Sequence, residues 1–149
     1  MCMNKKIILV LIVIVAIIAA IFLMSNNGTE VTINDIKFNV PDAFKDTVTK
    51  HEKTADQEVY NYESKNGDTI SIGVINTNQN SISNLFPDYK SKGMTSDTID
   101  GKEGYVAWDY QPAMGFYYVE NGKLVVLAVP YYCEETNQDY KELMEEIII

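Results

Sequence analysis

Three Asx-Gly pairs constrain this chain more than any other feature: Asn66-Gly67, Asp100-Gly101 and Asn121-Gly122. Each tolerates the positive φ that a tight hairpin turn requires, and each lies between runs with strand character. Before the first, Tyr60 and Tyr62 alternate with polar residues; after it, Ile70, Ile72 and Val74 do the same. The second separates "MTSDTI" from "KEGYVAWDYQ", whose Val106, Trp108 and Tyr110 fall on one face at period two. The third separates "MGFYYVE" from "KLVVLAVP". Its "LVVLAV" is apolar at every position, which predicts a central strand covered on both faces. Successive hairpins of this kind predict a mostly antiparallel sheet.

The flanking segments add two further strands and two helices. Val31 and Ile33 precede an Asn34-Asp35 turn, and Ile36, Phe38 and Val40 follow at period two before Pro41 closes the strand. The stretch "DAFKDTVTKHEKTAD" predicts a helical turn around Phe44 and then a polar loop. Ser81 or Ser83 can cap a short helix carrying Ile82, Leu85, Phe86 and Tyr89, with Pro87 near its first turn. Tyr140, Leu143, Met144 and Ile147 fall at helical spacing, and Thr136 with Asp139 resembles a capping box for that closing helix. The expected fold is therefore α+β: a mostly antiparallel sheet of about six or seven strands, covered by helices on each face as an α/β/α sandwich. One N-terminal transmembrane helix is expected before it.

That helix is expected from "IILVLIVIVAIIAAIFLM", Ile7 to Met24, eighteen apolar residues without charge, Gly or Pro. A helix of this length spans roughly 27 Å, close to the hydrocarbon thickness of a bilayer. A cleaved signal peptide has a shorter apolar core ending in small residues, whereas here Ile21, Phe22, Leu23 and Met24 continue past Ala19 and Ala20. The segment reads as a retained anchor in the lipid bilayer. Lys5 and Lys6 precede it, and the flank after it has no basic residue until Lys37, which orients the N-terminus to the cytoplasm. The chain thus divides into a cytoplasmic stub at 1–6, an anchor at 7–24, a tether at 25–30 and an extracytoplasmic domain at 31–149. The expected location is the cell membrane.

Setting Lys5 and Lys6 aside, the outer part holds ten lysines against 21 acidic residues, a net of −11, and no arginine at all. Such a surface repels polyanions and lacks the planar guanidinium that grips phosphate, so no nucleic-acid partner is expected. Cys2 and Cys133 fall on opposite sides of the membrane in this reading and cannot pair within one chain. Cys133 is expected to be a small, partly buried packing residue in the connection between the last strand and the last helix.

The order "VTINDIKFNVPDAF", "GDTISIGVI", a middle helix, "IDGKEGYVAWDY", "VENGKLVVLAVP" and an amphipathic C-terminal helix resembles the PsbP-related domains of the wider PsbP/DcrB-like group. Membrane-anchored versions occur in archaea. The resemblance covers about residues 30–149 and implies the fold. It carries over no metal, ligand or activity to individual residues, because its motifs are turns and strands.

Candidate chemistry is sparse. His51, the lone histidine, falls in "TKHEKTAD", read as a solvated loop. One histidine and one outer cysteine do not assemble a zinc site of the usual kind. Asp97 with Asp100, and Glu134 with Glu135, are acidic clusters that do not follow the calcium-loop spacing. No catalytic residue, metal ligand or cofactor is assigned. Seven of the ten tyrosines lie after residue 100, joined by Trp108. Aromatic rings with polar tips can line a binding surface, and Tyr105, Trp108 and Tyr110 are the candidate residues for one. Strand propensity alone also accounts for tyrosines here.

These readings point to a non-catalytic, single-pass membrane protein that presents its outer domain for binding, as an accessory to a membrane or cell-envelope complex. The alternative is a small-ligand or sugar receptor with an aromatic groove, and an enzyme comes third.

Overall fold

Both central residues of the Asp100-Gly101 and Asn121-Gly122 turns take positive φ (47° and 75°, 51° and 71°), the conformation that joins right-twisted strands without splaying them. The structure, a computed structural model, describes residues 28–110 and 112–149; the run 7–24 and its flanks lie outside these residues. Among the described residues no helix is long and apolar enough to cross a membrane.

Among the described residues, eleven strands and two helices follow in order. Strands β1 (Gly28–Ile33) and β2 (Ile36–Pro41) form their own two-stranded sheet. Next come β3 (Val48–Lys53), β4 (Gln57–Glu63), β5 (Thr69–Asn76), α1 (Ile82–Leu85), β6 (Thr95–Ile99), β7 (Lys102–Tyr110), β8 (Ala113–Glu120) and β9 (Lys123–Pro130). The short pair β10 (Tyr132–Cys133) and β11 (Gln138–Asp139) leads into α2 (Tyr140–Ile147). The main sheet has seven antiparallel strands in the order β3-β4-β5-β9-β8-β7-β6. Only the β5–β9 pairing joins strands distant in sequence.

Period-two alternation decides which face is the core. Ile70, Ile72 and Val74 of β5, Val125, Leu127 and Val129 of β9, and Phe116 of β8 have no exposed surface. The β1–β2 hairpin (Ile33, Phe38, Val40), Phe44 and the α2 stripe (Leu143, Met144, Ile147) close over them. Burying one such side chain contributes about 1.5–3 kcal/mol, so this layer dominates the fold's stability.

The opposite face is covered differently from the helical layer expected on it. Leu124, Val126 and Ala128 are only half-buried. Above that face, residues 77–94 supply one helical turn and a set of tight turns rather than a helix. Phe86 meets the edge of Tyr117 at 5.8 Å, and Tyr89 stacks on Tyr105 at 4.1 Å. Pro87 explains the short helix. Its ring disfavours a helical conformation in the preceding residue, and Phe86 sits at φ −128°, ψ 65° as the C-cap. Ser81 is the N-cap, its hydroxyl accepting from the Asn84 N–H.

Two further expectations shift. The capping box of the last helix is Asp139 with Glu142, not Thr136 with Asp139: Asp139 Oδ1 accepts the Glu142 N–H at 2.9 Å, and Glu142 Oε2 accepts the Asp139 N–H at 3.1 Å. The polar stretch expected as a loop forms edge strand β3, exposed at all six positions. Its sequence "VTKHEK" lacks an apolar face because an edge strand hydrogen-bonds one neighbour and leaves its charges in water.

Candidate functional site

Three exposed large aromatic side chains gather where β7 and β9 end and β8 begins. Trp108, Tyr131 and Tyr132 are 50%, 49% and 48% exposed. Trp108 lies near the end of β7 opposite Met114, just before a register shift between Trp108 and Tyr110. Pro130 ends β9, and the Tyr131 N–H donates to the Pro112 carbonyl at 2.7 Å, which fixes Tyr131 beside the β7–β8 turn. The Tyr140 N–H in turn donates to the Tyr131 carbonyl at 2.9 Å, bringing in the first residue of α2. The rings follow: Trp108 stacks on Tyr131 with centroids 5.2 Å apart and planes at 30°, and Tyr131 stacks on Tyr140 at 5.6 Å and 26°. Aromatic pairs in this range contribute about 0.5–1.5 kcal/mol beyond area burial, enough to hold the row in order.

An ion pair closes one end. Lys141 Nζ donates to Asp97 Oδ1 and Oδ2 at 3.0 and 3.3 Å. The Tyr140 phenol is held above its ordinary pKa, first by burial and then by the Asp97 carboxylate, so it stays a neutral donor. Tyr132 donates its hydroxyl to Asn137 Oδ1. Exposed carboxylates Asp109, Glu134 and Glu135 adjoin the row in sequence.

The residues singled out from sequence do not form one surface. Tyr105 is 6% exposed and points to the opposite face from Trp108, its ring against Tyr89. Three positions separate the two, an odd number, so strand alternation splits them. The backbone of Tyr110 pairs with Ala113, while its side chain lies outside the described residues. Trp108 stacks on Tyr131, and Tyr131 on Tyr140. Parity could have excluded Tyr105; nothing local could have supplied the other two.

Tyr105 instead borders an open groove of about 900 Å³ between Asn80–Ser83 and the β6–β7 turn, with Ser81, Ser83, Ser96, Thr98 and Lys102. Lys102 pairs with Glu120 at 2.8 Å.

His51 is also placed differently from its expected loop. It sits on β3 opposite Tyr60, stacks on that ring at 3.9 Å, and its Nε2 lies 3.2 Å from Glu58 Oε1. Glu58, only 6% exposed, accepts the Asn34 N–H at 2.7 Å through Oε2. Burial pushes its carboxyl up, but the Asn34 and His51 bonds and the Lys53 charge outweigh that and hold it below its usual value. This cluster pins the β1–β2 turn to the sheet, helped by Asn34 Nδ2 donating to Asn76 Oδ1 at 2.9 Å. Cys133 is fully buried, its thiol 3.6 Å from Asp68 Oδ2, in the strand-to-helix connection. Among the described residues no group of three or more His, Cys, Asp or Glu side chains is placed to hold a metal.

No family model matches the chain, and neither a curated protein nor a solved structure matches it.

Proposed function

We propose that this chain is a single-pass membrane protein whose outer domain, of PsbP-like strand and turn order, is a binding module that docks a protein partner in the membrane or cell envelope. Residues 7–24 anchor it, with the N-terminus in the cytoplasm and residues 31–149 outside. The observation that carries the reading is the exposed pair Trp108 and Tyr131, braced from behind by the half-buried Tyr140, since rigid aromatic rings in water are the side chains that dominate protein interfaces.

Ring geometry favours a protein over a sugar. A sugar platform offers ring faces to the ligand, whereas these rings turn faces towards one another. Asp109, Glu134 and Glu135 beside the row call for a partner with a basic face.

A photo-crosslinking residue at position 108 of the full chain, in its native membrane, tests this. A discrete adduct that weakens with salt, disappears with Tyr131→Ala and is not formed from position 50 is the expected result. Equal labelling from both positions refutes it. A second reading, a small polyol or sugar in the groove beside Tyr105, draws on that groove's hydroxyl lining. It predicts saturable sugar binding that Tyr105→Ala abolishes and Trp108→Ala leaves intact.

A further inference from the structure

We infer that the open edge of β6 is a docking strand for an extended segment of a partner protein, one that carries lysine or arginine at alternate positions. The main sheet ends in β3 on one side and in β6 on the other. Edge β3 is blunted against further pairing: its register shifts between Val48 and Lys50, and Lys50, His51, Glu52 and Lys53 load it with charge. Edge β6 is not. It pairs with β7 over five consecutive residues without a shift, and its sequence "TSDTI" has no lysine or proline. Thr95, Ser96 and Thr98 are exposed along it.

Hairpin geometry says which backbone groups face outwards. The two-residue turn Asp100-Gly101 makes Ile99 and Lys102 the closing pair, and in such a hairpin that pair exchanges both of its backbone bonds. Thr95, Asp97 and Ile99 therefore bond to β7, while the N–H and C=O groups of Ser96 and Thr98 point away from the sheet. The Thr98 N–H agrees, since it donates to Asp97 Oδ1 at 2.8 Å rather than to β7. An added strand takes its main-chain hydrogen bonds from these outward groups.

A groove beside the edge gives the added side chains room. It holds about 900 Å³ and is bordered by Ser96, Thr98, Glu103 and Tyr105. These four share one face, because Ser96 pairs with Tyr105 and Thr98 with Glu103. A residue added opposite Ser96 or Thr98 turns its side chain onto that face and meets only a small hydroxyl before the next strand. Charge selects that residue. Lys102 is already paired with Glu120 at 2.8 Å, and Lys141 with Asp97 at 3.0 Å. Asp100 and Glu103 are exposed, and among the described residues neither has an ion-pair partner. A lysine or arginine opposite Thr98 lies two strands from Glu103, about 10 Å between backbones, a span that its long stem and the glutamate cover together. Neither the edge nor the groove uses a residue of the aromatic row, so either reading can fail without the other.

The test is nuclear magnetic resonance of the full chain in neutral detergent, titrated with a peptide of about ten residues in which lysine and threonine alternate. Expected are saturable binding and slowed hydrogen exchange at the Ser96 and Thr98 amides, with no such protection along β3. Ser96→Pro removes an outward N–H that β7 does not use, so it keeps the fold and weakens binding tenfold or more. Ser96→Ala, which keeps that N–H, binds as the unaltered chain does. Glu103→Gln weakens binding several-fold, and Trp108→Ala leaves it unchanged. Absence of saturation by about 1 mM peptide overturns the docking strand. Equal protection of both edges overturns it as charge attraction alone, and indifference to Ser96→Pro overturns it as binding in the groove without strand pairing. Where Ser96→Pro fails to fold, the peptide is altered instead, by methylating alternate backbone nitrogens. Loss of binding from one alternate set and not from the other supports the added strand, and equal effects of the two sets refute it.

Discussion

Glu58→Gln keeps the shape of a buried side chain and removes the charge that its neighbours hold in place. At neutral pH the carboxylate accepts the Asn34 N–H at 2.7 Å and faces His51 Nε2 at 3.2 Å, with Lys53 Nζ at 3.7 Å. Hydrogen bonds to a charged group contribute about 1.5–3 kcal/mol against about 0.5–1.5 for neutral ones. Lys53 is largely exposed and adds little. Losing charge assistance on the two short contacts therefore costs about 2 kcal/mol at pH 7. The pH profile is the sharper test. The folded-state pKa of Glu58 lies below its ordinary value of 4.5, so the folded state binds fewer protons than the unfolded one. Its stabilisation is complete above that ordinary value and is lost as pH falls through the lower folded value. Urea unfolding of the full chain, followed by circular dichroism at pH 7 and at about pH 3, should show the gap between native and Glu58→Gln proteins closing at the acid end. A gap of the same size at both pH values refutes the electrostatic account and leaves only a packing role.

Phe116 has no exposed surface at the centre of the core face, so Phe116→Ala should cost about 3–5 kcal/mol, read as a fall in the urea midpoint with an unchanged slope. The phenol of Tyr62 is pushed up to about 12, by burial first and then by Tyr60 and Glu58, and burial followed by Glu120 and Asp100 pushes Tyr118 up as well. Raised pKa values mean that the folded state holds its protons longer. Stability should therefore be intact below pH 10 and fall as pH rises towards 12, with ultraviolet titration showing phenols that ionise only as the chain unfolds.

Much of the sheet was legible because its signals are local. Positive φ at Asp100-Gly101 and Asn121-Gly122 is demanded within the turn itself, and the alternation of Ile70, Ile72 and Val74 is complete within five residues. The α2 stripe of Leu143, Met144 and Ile147 is equally self-contained. Edge strand β3 was not legible, since a strand with no buried side chain has no hydrophobic period to read. Pro87 falls near the first turn of the expected helix, but its effect on Phe86 makes it a stop.

By itself, the sequence determined the hairpin turns, the alternation that gives the main sheet its buried face, the closing helix and the acidic, arginine-free character of the domain. Each is set by backbone preference, side-chain period or charge over a few residues. Tertiary structure alone decided that β5 meets β9, that the Asn34 N–H across 24 residues turns Glu58 into a buried anchor, and that Tyr131 and Tyr140 join Trp108. Those outcomes depend on where the chain returns, and no short window of residues records a distance that only folding closes.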